Sequence, residues 1–262
     1  MANNKQYTTQ LSTGLGLLEE TKSLLDLWQP GMSTTELYQQ ALTDGSFPNM
    51  SARRLKNVIT GCFAPRLLVR NDYPASLLKQ LNTSLSAVEF RQLLLIYTAR
   101  ANQILLDFIL SVYWPKYVSG HDIITSDDAK EFVYDVNQQG LTVRPWSEST
   151  IKKGASYLSG CCADFGLLEQ GRKSKRKILP FRIEPKVVAF LAYDFHFQGI
   201  GDNGLVAHKE WQIFGLQKED VRDEFKRLSK KGYFIIQSAG EVVHIGWQYK
   251  TWEELLSAIT TG

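Results

Sequence analysis

Apolar residues recur at helical spacing in four stretches of the chain. Leu55, Val58, Ile59 and Cys62 form one stripe, and Ala129, Phe132, Val133 and Val136 a second. Ile151, Ala155, Leu158 and Cys162 form a third, and Val221, Phe225 and Leu228 a fourth. This repeat gathers apolar side chains on one face of an α-helix and leaves the polar ones outward. Helix-start signals precede the stripes. Ser33-Thr34-Thr35-Glu36 is a capping box that opens a short helix through about Leu42, ended by the loop Asp44 to Asn49. Ser51 can cap the helix that follows, so these two form a helix-turn-helix. Ser86 and Glu89 cap a long helix reaching about Tyr113. Ser126 precedes the next, with Gly140 just past its end, and Ser147 or Ser149 starts another.

Two pairs of short runs interrupt the helical pattern. Phe165–Gln170 and Ile178–Ile183 flank the segment Gly171-Arg172-Lys173-Ser174-Lys175-Arg176-Lys177 and predict a two-stranded ribbon with a charged tip. Tyr233–Gln237 and Glu241–Ile245 predict a hairpin across Ser238-Ala239-Gly240. Helix, helix, then ribbon is the order of a winged helix. The predicted fold class is therefore mainly α: a helical globular protein with helix-turn-helix or winged-helix modules and short β-hairpin wings. Three domains are expected: a helix-turn-helix module over 1–85, a winged helix with a basic wing over 86–183, and a winged-helix-like module over 184–262.

Charge changes the picture at one place. The 262 residues carry 30 Lys+Arg against 27 Asp+Glu, a net +3. Five of those cations lie between Gly171 and Lys177; without them 25 would face 27, a net −2. The positive charge is localised, and a concentrated basic element steers polyanions. The hydrophobic content of 44% is that of a packed protein, not a disordered chain. The most apolar stretch, Phe90 to Trp114, is interrupted by Arg91, Arg100 and Asp107, so no membrane span is expected. The first residues lack a basic region followed by an apolar core, so no secretory signal is expected. Three cysteines, Cys62, Cys161 and Cys162, make a poor disulfide framework and fit a cytoplasmic protein with buried thiols.

Enzyme signatures are sparse. Gly199-Ile200-Gly201-Asp202-Asn203-Gly204 matches the dinucleotide fingerprint, but a helix precedes it where the fingerprint needs a strand. Glu184-Pro185-Lys186 resembles the E-x-K of metal-dependent nucleases, with proline in the middle position and no upstream Pro-Asp. The four histidines have no partner at zinc-ligand spacing. No catalytic residue, cofactor or metal is expected, and the chain reads as non-enzymatic.

The outward faces suit nucleic acid. Arg53, Arg54, Lys56 and Asn57 would form one DNA-contact surface. Ser149, Lys152, Lys153 and Ser156, with the wing residues Arg172, Lys173, Lys175, Arg176 and Lys177, would form the other. The C-terminal copy begins Glu219-Asp220 and continues with Asp223 and Glu224, carboxylates that would repel phosphates, so it packs internally or binds protein. The stretches LSTGLGLLEETKSLLDLW, SARRLKNVITGCFAPRLL and RQLLLIYTARANQILLDFI resemble the BrxA family of bacteriophage-exclusion (BREX) defence systems. The resemblance implies a small, mostly helical cytoplasmic protein that binds double-stranded DNA without enzymatic activity. It also implies work beside other BREX subunits: a methyltransferase, an ATPase and a phosphatase-like protein. A likeness of that family to NusB-type proteins keeps an RNA reading open. A scaffold docking on other defence subunits is the alternative from another class.

Overall fold

The computed structural model describes residues 7–9, 16–171 and 173–261. The first helix, α1 (Leu18–Leu27), buries Leu24 and Leu25 and is followed by the buried Trp28. Its C-terminal carbonyls are capped from a distance: Lys79 Nζ donates to the carbonyls of Leu25, Asp26 and Trp28 at 2.8, 3.0 and 2.6 Å. The capping box at Ser33 forms as read. Ser33 Oγ accepts from Glu36 N at 3.2 Å, the Glu36 carboxylate accepts from Ser33 N at 2.8 Å, and α2 (Thr34–Asp44) follows. Ser51 caps α3 (Ala52–Val58) by accepting from Arg54 N at 3.3 Å.

A π turn, Ile59–Phe63, carries α3 into α4 (Ala64–Leu67). The same device recurs at Ile109–Tyr113. Each π turn ends two residues before a proline, Pro65 and Pro115. A proline inside a helix lacks the N–H and crowds the carbonyl four residues back. Widening the preceding turn by one residue accommodates it without breaking the helix.

Next come α5 (Tyr73–Leu81) and α6 (Ala87–Ala101), the latter opened by the Ser86/Glu89 box. The expected single helix to Tyr113 is not observed. Asn102 leaves helical geometry (φ −133°, ψ 87°), and α7 (Gln103–Phe108) starts after a bend of 113°. The reason is local competition: Asn102 Nδ2 donates to Thr98 O at 3.0 Å, while its own carbonyl accepts from Leu105 N at 3.0 Å. Among the described residues no single helix is long and apolar enough to cross a membrane.

After α8 (Trp114–Val118), strand β1 (Ile123–Thr125) leads into α9 (Ser126–Gln138) and then α10 (Glu148–Asp164). The cap of α9 is Thr125 rather than Ser126. Thr125 Oγ1 accepts from Asp128 N at 3.1 Å and the Asp128 carboxylate accepts from Thr125 N at 2.7 Å. Burial works against the Asp128 charge, but the bonds from Thr125 and Lys116 hold its carboxyl below the usual range. Thr125→Ala should cost about 1 kcal/mol in urea unfolding and Ser126→Ala less than about 0.5. The Asp128 contribution is present above pH ~4 and is lost as pH falls through its lowered folded value. Asn137 sets the turn between the two helices, accepting from Trp146 N at 2.8 Å and from the Thr142 hydroxyl at 3.2 Å. Beside that turn Tyr7 forms a parallel bridge with Thr142, and its hydroxyl donates to Asp107 Oδ2 at 2.5 Å.

The ribbon differs from expectation. Its extended strand is the basic segment itself, β2 (Lys175–Lys177), which pairs antiparallel with β1: Ile123 faces Lys177, Ile124 faces Arg176 and Thr125 faces Lys175. The expected partners 165–170 and 178–183 contribute one bridge, Leu168 to Ile178. Gly166 turns the chain at φ 77°, and Pro180 has no N–H to extend a ladder.

Helices α11 (Pro185–Phe197), α12 (Asp202–Val206) and α13 (Lys218–Ser229) follow, with a 3₁₀ turn at Lys209–Phe214. Strands β3 (Phe234–Ala239) and β4 (Val242–Trp247) form the hairpin read in the sequence, and α14 (Trp252–Thr261) closes the chain. The protein is thus mainly helical with two small antiparallel sheets. It divides into two units, 1–82 with 94–181, and 83–93 with 182–262.

Candidate nucleic-acid interface

Helix α10 owes its position to an apolar face of Ala155, Leu158, Cys161 and Cys162, all buried, set against α9. The buried thiols are free, and burial pushes Cys161 up to about 12 and raises Cys62 and Cys162 as well, so none is a ready nucleophile. The opposite face exposes Ser149, Lys152, Lys153 and Ser156. Ser147 caps the helix through Thr150 N, and its hydroxyl lies 3.0 Å from that of Ser149. Ser149 therefore belongs to a hydroxyl cluster at the helix head.

The helical turn separates the two lysines. Lys152 and Ser156 border a polar hollow together with Lys173 and Arg176, so α10 and the basic segment meet there. Lys153 borders an apolar hollow with Trp146, Thr150 and Tyr157. On β2, Lys175 and Lys177 share one face and are exposed. Arg176 points the other way, is half-buried, and donates from Nη1 to Glu169 O at 2.8 Å. Lys173 forms an ion pair with Glu169 at 2.8 Å, which holds that carboxyl below its usual range. Arg172 lies outside the described residues. Two cations of the basic segment therefore face solvent squarely, while two are engaged by Glu169.

The other predicted surface sits on α3, whose inner face is Leu55 and Val58. Arg53, Lys56 and Asn57 are exposed and Arg54 is half-buried. Helix α3 lies against α2 and its own π turn, whereas α10 lies against α9, so the two predicted surfaces are on different helix pairs. On α13 the cations are spent on carboxylates: Lys226 on Asp223 at 2.8 Å, Arg227 on Glu224, and Lys218 on Glu241.

The glycine-rich match has a structural role. Gly201 precedes α12, and the side chains of the next two residues bind the backbone of β4. Asn203 Oδ1 accepts from Val243 N and Asp202 Oδ2 from Ile245 N, both at 2.8 Å. Glu184 sits at the head of α11, where its N–H donates to Gln92 Oε1 at 2.8 Å. Sequence reasoning overlooked Lys130, Ser159 and Ser174, which also border the polar hollow. Ser159 follows Lys152 and Ser156 at helical spacing, a signal masked by the adjacent apolar Cys161 and Cys162.

Together the fold and this surface define a mainly helical protein whose central helix pair carries a short basic strand and an outward cationic face. The model of the BrxA family matches residues 5–194, and the chain belongs to that family. The crystal structure of an uncharacterized protein from Magnetospirillum magneticum is similar in fold, at a TM-score of 0.59 and 16% identity. That similarity covers 74% of this chain and 96% of the other. No curated protein matches the chain.

Proposed function

We propose that this chain is a non-enzymatic, cytoplasmic DNA-binding accessory component of a BREX phage-defence system, working beside other BREX subunits. Membership of the BrxA family supports the BREX assignment. One observation carries the DNA reading: β2 offers Lys175 and Lys177 on one exposed face, with the cationic outer side of α10 beside it. Strand, helix pair and returning basic strand follow the order of a winged helix. In that arrangement α10 faces the major groove and β2 follows the phosphate backbone, which makes affinity largely independent of sequence. The α3 residues Arg53, Arg54, Lys56 and Asn57 form a second contact surface.

Titration of the full chain against a duplex and its scrambled counterpart at two salt concentrations tests this. Similar affinity for both, falling steeply with salt, is the expected result. Absence of binding at ~0.05 M salt, where phosphate contacts are strongest, would remove the DNA reading.

A further inference from the structure

We propose that the polar hollow bordered by β1, the head of α9, α10 and the basic segment is a binding site for a single phosphate group. Its volume is about 240 Å³.

The lining is cationic and hydroxylic. Lys130, Lys152, Lys173 and Arg176 border it, as do Ser156 and Ser159, and among the described residues no acidic one does. The neighbouring acids are already engaged. Asp127 pairs with Lys130 at 2.8 Å and Glu169 with Lys173 at 2.8 Å. Asp128 is held by Thr125 and by Lys116 at 2.9 Å. Among the described residues Lys152 makes no ion pair and Arg176 bonds only a backbone carbonyl, so both charges remain to be balanced.

Two donors there make no side-chain bond among the described residues. Ser159 is only 9% exposed, yet its hydroxyl makes no hydrogen bond among the described residues. Arg176 Nε is buried without a partner. Ser159 lines the hollow and its hydroxyl is open to an acceptor that enters from solvent, while the Arg176 guanidinium brings a charge that only a backbone carbonyl answers among the described residues. The acceptor that fits a wall of ammonium, guanidinium and hydroxyl groups, with no acidic residue in the wall itself, is a compact oxyanion with several oxygens. Phosphate presents such oxygens to lysine and to the arginine fork together. The site stands whether or not the chain binds DNA; the group could belong to a nucleic-acid backbone or be free phosphate.

The test is calorimetric titration of the full chain with inorganic phosphate at constant ionic strength. Saturable binding at a Kd of about 1 mM is expected, and Ser159→Ala and Lys152→Ala should each weaken it about tenfold. Lys230→Ala, an exposed residue in the other unit, should leave it unchanged. Melting curves check that the variants stay folded. No saturation by tens of millimolar, or equal affinity in wild type, Ser159→Ala and Lys152→Ala, would overturn the site. A duplex then separates the sources. If phosphate displaces DNA beyond the effect of equal chloride and Ser159→Ala weakens both, the site takes a backbone phosphate. If phosphate binds while Ser159→Ala leaves DNA affinity intact, it takes the free ion. Phosphate binding with no DNA binding at all would keep the site and remove the DNA reading.

Discussion

Tyr193→Phe is expected to destabilise the unit formed by 83–93 and 182–262 by about 3 kcal/mol, although it removes one oxygen. Tyr193 on α11 is fully buried. Its hydroxyl donates to Tyr233 O at 2.6 Å and accepts from Gln248 N and Tyr249 N at 3.2 and 3.1 Å. Deleting it strands the carbonyl of the buried Tyr233 and loosens two N–H groups at the exposed Gln248 and the half-buried Tyr249, and a stranded buried group costs about 1–3 kcal/mol. The ring itself stays, so its edge contact with Trp247, centroids 4.7 Å apart, should persist. Urea unfolding followed by tryptophan fluorescence measures the loss, and a change below about 1 kcal/mol would show that water replaces the hydroxyl. Burial pushes the Tyr193 phenol up to about 12, against the opposing bonds from Tyr249 and Gln248. The folded state therefore binds this proton more tightly than the unfolded state. Its contribution is complete below the unfolded value near ~10 and is lost as pH rises toward the folded one. Alkaline unfolding curves of wild type and Tyr193→Phe should converge across that window.

The double change Lys175→Ala with Lys177→Ala is expected to have the largest effect on DNA binding. If each lysine meets one phosphate, the slope of log K against log salt should flatten by about 1.8, from ~0.9 per contact. At ~0.05 M salt that corresponds to roughly two orders of magnitude in affinity. Stability should hardly move, because both side chains are exposed on β2 and neither forms an ion pair within 4 Å among the described residues. Asn57→Ala on α3 should instead alter any preference among duplexes while leaving the slope in place. An unchanged slope in the double variant would remove β2 from the DNA surface and favour its docking on a protein partner.

Helices with a cap and a stripe were legible from residues alone. Ser33 with Glu36, Ser51, and Ser147 each start a helix, and behind Ser51 and Ser147 the buried face is the predicted one, because side chain and backbone solve the same local problem. The helix from Ser86 was read too long because apolar content continues past Asn102, while the break comes from one amide that out-competes the backbone. β1 went unread because three residues, Ile123 to Thr125, carry no periodicity of their own and gain strand character only from β2. Pairing of distant segments is a tertiary choice, and so is the gathering of the phosphate hollow from β1, α9, α10 and the basic segment. The cations of that segment were visible as a cluster, but their division between solvent and Glu169 follows from strand alternation that only the register fixes.

Asp202 and Asn203 lock two amides on the outer margin of β4, and this limits how that part of the molecule can recruit anything. A margin with its donors taken cannot template another chain, so strand addition to β4 is closed both to a partner's tail and to a second copy. Whatever engages the β4 side of the hairpin must read it through side chains, and Val242, more than half exposed, is an apolar one on that strand. The glycine-rich loop that imitates a nucleotide fingerprint thus serves to close one margin of a small sheet.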